Sequence, residues 1–386
     1  MSLATNTYRF PVQVVFGEGC LAEIGAFVKT FGKHALLVTG AGPTSRSPAV
    51  ETLKGILEDV SIRTSHFAEI ESDPSVETVE KAVAFALEEG CDFVIGMGGG
   101  SSMDAAKITA ARLNNEGDIA SWEGKGHIPR RPKPLICIPT TSGTGSEVTM
   151  VAVITGGRRG QKMSIVSQNL YPVLAIIDPE LAYSMPPELT ASTGMDALSH
   201  AVESFVARRA WEPTQVLSLR STQLIFANIE GACADGSDID ARHNMSLASF
   251  LAGMAFTSAG LGLTHALAYA LGSHFGVAHG KATALLLAQV MHFNLEACPE
   301  LYRELATAMG VNVSGLPAPR AGEEAAKAVE ALVETLPLPT KLGDIGITGA
   351  SVETLAAEAF LQTRFRSSNP RDTVLEDLVG ILRASL

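Results

Sequence analysis

Charge and aromatic side chains are both scarce in this chain: 18% of its 386 residues are Asp, Glu, Lys or Arg, and 6% are Phe, Trp or Tyr. So little charge, set against a hydrophobic content of 46%, excludes a disordered polar chain and supplies core for one large or two medium domains. Basic residues are the scarcer sign, 29 Lys and Arg against 41 Asp and Glu, leaving a formal net charge of −12. No basic stripe offsets that excess, which argues against nucleic acid or an anionic membrane as partner. Short clusters at Arg130, Arg131 and Lys133, at Arg158, Arg159 and Lys162, and at Arg364, Arg366 and Arg371 read mostly as solvated loop charge. Cysteine is rare too: Cys20, Cys91, Cys137, Cys233 and Cys298 are scattered without a CxxC pair. An odd, dispersed set excludes a disulfide framework and points to a reducing compartment, the cytoplasm. The N-terminal stretch has no charged segment followed by an apolar one, so no signal peptide is expected.

One long absence could mislead. No Asp, Glu, Lys or Arg occurs from Asn244 to Val277, a length that could span a bilayer. Yet the stretch holds Gly253, Gly260, Gly262, Gly272 and Gly276, many Ser and Thr, and two His. That mixture predicts two buried helices meeting at Gly260-Leu261-Gly262, and no membrane span.

What is present is ordered. Short apolar runs at Ala35–Thr39, Ile62–Phe67, Phe93–Gly96, Leu135–Ile138, Val151–Thr155 and Leu174–Ile177 read as strands. Helical periodicity at Ser47–Glu58, Val76–Glu89 and Asp104–Asn114 separates the earlier ones. The alternation implies βαβ units and a mostly parallel sheet. After Pro186-Pro187 the strand signal disappears and helical patterns run to the C-terminus, so a domain boundary is expected near residue 180, dividing 1–180 from 181–386.

The second half carries the metal chemistry. Asp196 and His200, four apart in a helical run, point from one face, while His265 and His279 follow in unusually apolar surroundings. An Asp/His pair at that spacing is alone more often a surface or capping pair; the two further His make it a candidate site. One carboxylate and three imidazoles suit Fe(II) or Zn(II), with a position left open for substrate. The first half carries two loops for phosphate. Gly96-Met-Gly-Gly-Gly-Ser-Ser-Met-Asp104 follows a strand and opens a helix, where backbone N–H groups can approach a pyrophosphate. It is not a strict GxGxxG, since Ser101 takes the last glycine position. Thr140-Thr-Ser-Gly-Thr-Gly-Ser146 also follows a strand, so both loops are expected at one carboxyl edge of the sheet, where open α/β sheets bind ligands.

Four motifs in this order, Gly98–Lys107 (GGGSSMDAAK), Pro139–Thr149 (PTTSGTGSEVT), Gly194–Ser204 (GMDALSHAVES) and the HALAYALG…AHG segment, resemble the iron-containing (group III) alcohol dehydrogenases. The resemblance covers essentially the whole chain, including Asn369-Pro-Arg371 near its end. It implies an α/β N-terminal Rossmann-like domain plus an all-α C-terminal domain, with the cofactor in the cleft, and a homo-oligomer, dimer or larger. It also implies Asp196, His200, His265 and His279 as ligands of Fe(II), with Zn(II) fitting the same set. The cofactor site would comprise Asp73, Gly98, Gly99, Gly100, Ser101, Ser102, Thr140, Thr141, Thr144, Thr149 and Lys162.

Three departures stand out. Gly40 occupies the place of the acidic residue that in many relatives holds the adenosine ribose; without that carboxylate a 2′-phosphate is not repelled, which favours NADP over NAD. Tyr269 stands where many members carry a pocket histidine, four residues after His265. Val151 and His274 fall at places that line or neighbour the pocket. The implied reaction is hydride transfer between nicotinamide and a small primary alcohol or its aldehyde, or a ketone. Two alternatives stay open: reduction of an anionic phosphono-, sulfo- or carboxy-aldehyde met by Arg364 and Arg366, and a dehydroquinate synthase-like, metal- and NAD-dependent lyase.

Overall fold

The computed structural model describes residues 5–156 and 162–386, and the chain forms two compact units, Phe10–Ser184 and Met185–Leu386, the second joined by the N-terminal residues up to Arg9. Arg158 and Arg159 lie outside the described residues.

The first unit carries strands β1 (Gln13–Phe16), β2 (His34–Gly40), β3 (Arg63–Ile70), β4 (Phe93–Gly98), β5 (Gly124–Lys125), β6 (Leu135–Pro139), β7 (Val151–Thr155), β8 (Lys162–Val166) and β9 (Leu174–Ile177). Its α-helices are α1 (Ile24–Val28), α2 (Pro48–Asp59), α3 (Val76–Glu89) and α4 (Gly100–Arg112). Six strands form one all-parallel sheet in the order β1-β9-β6-β4-β2-β3. Both faces are covered, as a parallel sheet requires. Along β2, Leu36 and Val38 pack with α3 and α4, while Ala35 and Leu37 pack with α1 and α2. The chain steps from β2 outward to β3, then returns to place β4 on the other side of β2. That reversal sets the ends of β2 and β4 at the switch point of a doubly wound sheet.

A smaller sheet, β5-β8-β7, includes the antiparallel pair β7 and β8. Strands β1, β5 and β8 were not among the expected strands. Helix α4 also starts earlier than expected, at Gly100 rather than Asp104, which brings Ser101 and Ser102 into its first turn. The physical reason is that first-turn N–H groups need no intrahelical partner, so glycine is tolerated there.

The second unit is helical: α5 (Pro187–Val206), α6 (Glu212–Ala234), α7 (Ile239–Ala259), α8 (Leu263–Phe275), α9 (His279–Asn294), α10 (Pro299–Ala308), α11 (Ala318–Thr335), α12 (Val352–Phe360), α13 (Thr363–Ser368) and α14 (Leu375–Ala384). Its core draws Met195, Leu198 and Val202 from α5, Ile225 and Ile229 from α6, and Leu287 and Met291 from α9. The charge-free stretch forms α7 and α8, which break at Gly260–Gly262 and bend by 103°. Among the described residues no single helix is long and apolar enough to cross a membrane; only that bent pair passes on length and composition, and both helices are largely buried.

Candidate metal and dinucleotide sites

Helix α5 presents Asp196, His200 and Glu203 from one face, because residues four and three apart stack on successive turns. His265 stands in the first turn of α8 and His279 opens α9. Gly280 lets α9 approach α5 closely: a Cβ there would collide with the Ser192 carbonyl, one turn before Asp196.

Asp196, His265 and His279 bring ligand atoms within 4.8 Å of one another, and His200 adjoins this group through Asp196. Asp196 Oδ1 lies 3.9 Å from His200 Nε2, 3.9 Å from His265 Nε2 and 3.5 Å from His279 Nε2. These separations are too long for hydrogen bonds. They suit atoms that share an ion, since two ligands about 2.1 Å from one metal in a tetrahedral shell lie about 3.4 Å apart. Asp196 Oδ1 and His265 Nε2 are both buried without a hydrogen-bond partner among the described residues. Two orphaned lone-pair atoms facing one point are costly unless a cation or proton joins them, so the donor set fits a divalent ion. Burial pushes the Asp196 carboxyl from 3.8 up to about 7 despite the nearby His265. A bound cation would instead favour its ionised form.

Glu203 was not among the expected residues. It is buried and accepts three bonds, from His265 Nδ1 at 2.7 Å, Gly262 N at 3.0 Å and Thr264 N at 2.6 Å. It thereby caps α8, whose N-terminal Gly262 has no side chain to do so. It also keeps the proton on His265 Nδ1 and leaves Nε2 as the lone-pair nitrogen. The signal available in the sequence was its spacing, one turn beyond His200 on the ligand face.

Aromatic rings wall the cluster. His200 stacks between Phe256 and His265, at 4.4 and 4.7 Å between ring centroids. Tyr269 meets His279 edge-on at 5.8 Å and Phe365 at 5.3 Å. His274 is exposed, with Nε2 4.0 Å from Glu358.

In the first unit the expected cofactor residues lie at the carboxyl ends of neighbouring strands: Gly40 ends β2, Asp73 follows β3, Gly98–Ser102 runs on from the last residue of β4, and Thr140–Thr144 follows β6. Gly98 has φ +148, and a Cβ on Gly100 would lie 2.8 Å from Thr144 Cγ2, so glycine lets the two loops pack together. Thr141 Oγ1 is buried without a partner beside Gly99, and α4 has no side-chain cap. A cradle with an unused hydroxyl and uncapped N–H groups fits a phosphate-bearing ligand.

Asp73, in left-handed backbone at φ +56, takes a bond from Lys162 Nζ at 2.7 Å and donates its N–H to Ser101 Oγ at 3.3 Å. Thr149 is buried; its hydroxyl accepts from Lys107 Nζ at 3.2 Å and lies 3.3 Å from the Ser146 carbonyl. Lys107 also donates to the carbonyl of Val151, and Asp104 on the same helix accepts from Ser146 Oγ and Val153 N. The pair Asp104 and Lys107 thus ties the second loop to α4; burial drives the carboxyl up and the ammonium down from their ordinary values.

The basic residues near the C-terminus separate. Arg371 donates to the Phe293 carbonyl and pairs with Glu296 at 3.1 Å, while Asn369 and Asn294 exchange amide bonds at 2.7 and 3.0 Å. Arg366, expected as a substrate contact in the anionic alternative, instead donates to the carbonyls of Phe360 and Thr373 and lies 3.5 Å over the Phe360 ring. Its role is to hold the loop. Among the described residues Arg364 makes no such bonds.

Comparison with known proteins accounts for this arrangement. Residues 11–179 match the family model for iron-containing alcohol dehydrogenase, and residues 190–386 match that for the C-terminal part of the Fe-containing alcohol dehydrogenase family. The chain is 36% identical over 386 residues to an NAD-dependent methanol dehydrogenase of Bacillus methanolicus, covering 99% of this chain and 100% of the relative. A crystal structure of a 1,3-propanediol oxidoreductase superposes with a TM-score of 0.96 at 34% identity, covering 99% of this chain and 100% of that one. A sulfoacetaldehyde reductase from Bifidobacterium kashiwanohense, solved with NAD+, superposes with a TM-score of 0.87 at 31% identity, covering 99% of both chains. The chain belongs to the iron-containing alcohol dehydrogenase family.

Proposed function

We propose that this protein transfers hydride between a nicotinamide dinucleotide and a small primary alcohol or aldehyde, using one divalent metal ion held by Asp196, His200, His265 and His279. The observation that carries this reading is the pair of orphaned atoms, Asp196 Oδ1 and His265 Nε2, within reach of the His279 imidazole. Iron, once bound, would act as a Lewis acid on the substrate oxygen. Asp196 contributes the negative charge of the ligand set, Glu203 orients His265, and Phe256, Tyr269 and Phe365 exclude water from the cluster.

The dinucleotide belongs to Phe10–Ser184. Backbone N–H groups of Gly99–Ser102 and the hydroxyls of Thr140, Thr141 and Thr144 receive the phosphates, with Asp73 and Lys162 beside them. NAD is the cofactor that the NAD-dependent relatives support. Gly40 brings no carboxylate against a 2′-phosphate, so NADP is accepted as well. Gly40→Asp is expected to lower kcat/KM for NADPH about tenfold more than for NADH; equal losses with both would remove Gly40 from the discrimination. A Cβ at that position lies 3.3 Å from the Ile70 carbonyl, so a modest loss with both cofactors is expected too. The proposal includes a reducing, cytoplasmic setting, in keeping with five free cysteines, and a homo-oligomer, which rests on the family resemblance alone.

The test is anaerobic oxidation of NADH and NADPH, followed at 340 nm, with added Fe(II) or Zn(II) and a panel of small aldehydes. Metal-dependent turnover, absent in His265→Ala, is expected. Turnover unaffected by removing the metal, or surviving in that variant, would overturn the assignment.

A further inference from the structure

The relatives named above act on both neutral and acidic small molecules, so family membership leaves the charge of the substrate open. Residues 185–386 speak to it through their arginines. Nearly all are bonded within the protein, as Arg208 is to Asp372, Arg242 to Thr190 and Arg371 to Glu296. Arg209 and Arg364 are the exceptions: among the described residues neither has a hydrogen bond or a carboxylate partner. Geometry places them on one patch: the point where a Cβ on Gly260 would stand meets both Arg209 Nη2 and the side chain of Ser368, one turn along α13 from Arg364. Desolvation by the surrounding protein holds Arg364 below the ordinary guanidinium range; Tyr269 opposes the shift, and the positive charge of Arg209 adds a smaller push in the same direction as desolvation. Arg364 keeps access to solvent, so the desolvation comes from protein crowded around an open position and not from enclosure.

Like charges on one patch with no carboxylate between them repel and do not stabilise the fold. The scarcity of acid does not explain it, because the chain has 41 Asp and Glu and a net charge of −12. An unneutralised cationic spot on an acidic protein is expected where an anion is to be received.

Its position joins it to the metal-ligand cluster. Arg364 Cζ lies 4.7 Å from the centroid of Phe365, whose ring is 6.0 Å from His265 and 5.3 Å from Tyr269. Arg209 Nη2 lies 3.4 Å from where a Cβ on Gly260 would stand, at the break between α7 and α8 that leads into His265. Only one ring separates the guanidinium from a proposed ligand, a gap a short acyclic molecule can bridge with a different group at each end.

We propose that Arg209 and Arg364 form an oxyanion subsite that takes the acid group of a short anionic aldehyde, or of the corresponding alcohol, while its oxygen-bearing carbon lies at the Asp196 and histidine cluster. Carboxylate, sulfonate and phosphonate share the needed chemistry, several oxygens accepting from guanidinium N–H groups. The inference rests on the dehydrogenase reading for its turnover test and on charge alone for its binding test.

The turnover test compares propanal with two-carbon aldehydes bearing carboxylate, sulfonate or phosphonate. The native enzyme is expected to favour at least one anionic member over propanal by tenfold or more in kcat/KM. Arg364→Ala and Arg209→Ala should each lower that ratio at least tenfold, chiefly through KM, and Arg364→Lys should recover part of it. A native preference for propanal, or equal losses on neutral and anionic aldehydes, would overturn the proposal. The binding test is calorimetric titration with inorganic phosphate and sulfate, expected to show an affinity that Arg364→Ala loses. That titration needs no turnover, so a protein inactive on every aldehyde but binding phosphate through Arg364 would sink the dehydrogenase reading and keep the subsite. Parallel titration with NADH decides the source of the anion: weakened NADH binding in Arg364→Ala, with the substrate ratio unchanged, would assign the arginines to the cofactor phosphates and overturn the substrate subsite.

Discussion

Asp196→Asn is expected to empty the metal site and lower kcat by at least about a thousandfold, the loss that follows from removing several kcal/mol of Lewis-acid stabilisation. The substitution keeps the size of the side chain but removes the negative charge of the ligand set, so three neutral imidazoles would be left to hold a dication. The same change should act oppositely on the metal-free protein. Burial raises the Asp196 carboxyl to about 7 in the folded state from its ordinary 3.8. A group raised in this way binds more protons folded than unfolded between those values, so its contribution is complete below about 4 and is lost as pH rises through about 7. The metal-free native protein should therefore lose stability from pH 4 to pH 7 through this residue, and Asp196→Asn should flatten that decline. Thermal melts of both metal-free proteins across this range, with metal content measured after dialysis, check the two halves separately. A variant that retains iron, or one whose pH profile parallels the native one, would remove Asp196 from the role given to it.

Glu203→Gln is expected to weaken metal binding by about 10- to 100-fold although no ligand atom is touched. The carboxylate accepts from three N–H groups, which its two oxygens can do and a single amide oxygen cannot. The glutamine NH2 would face at least one donor. Its relief is for His265 to move its proton to Nε2 and accept at Nδ1, which places a proton where the metal lone pair is needed. Cobalt(II) titration reports the outcome directly: a weaker affinity with altered visible bands fits a tautomer change. Unchanged affinity with a lower melting temperature would reduce Glu203 to a helix cap.

Much of the fold was legible because its signals are local. Strand runs such as Leu135–Ile138 are buried on both faces and so are continuously apolar, and Val76–Glu89 carries a clear helical period. Strands β1 and β8 were not legible: Gln13–Phe16 is only partly buried and β8 alternates on a small outlying sheet. For the proposed metal cluster, spacing pointed to Asp196 and His200, and apolar surroundings pointed to the two further histidines. Glu203 escaped because a glutamate on an amphipathic helix is ordinarily solvated, and its burial depends on where the start of α8 docks, a long-range event. Arg364 and Arg366 look alike in sequence; only the fold shows that one guanidinium is bonded to carbonyls and the other is not.

The hydrogen bonds from Gly262 and Thr264 to Glu203 have a consequence for motion. These amides and the His265 ring share one acceptor, so opening the first turn of α8 also releases the imidazole. With the proposed ion bound, its loss and the fraying of that turn would be one cooperative event, and amide hydrogen exchange at Gly262 and Thr264 would gauge metal occupancy.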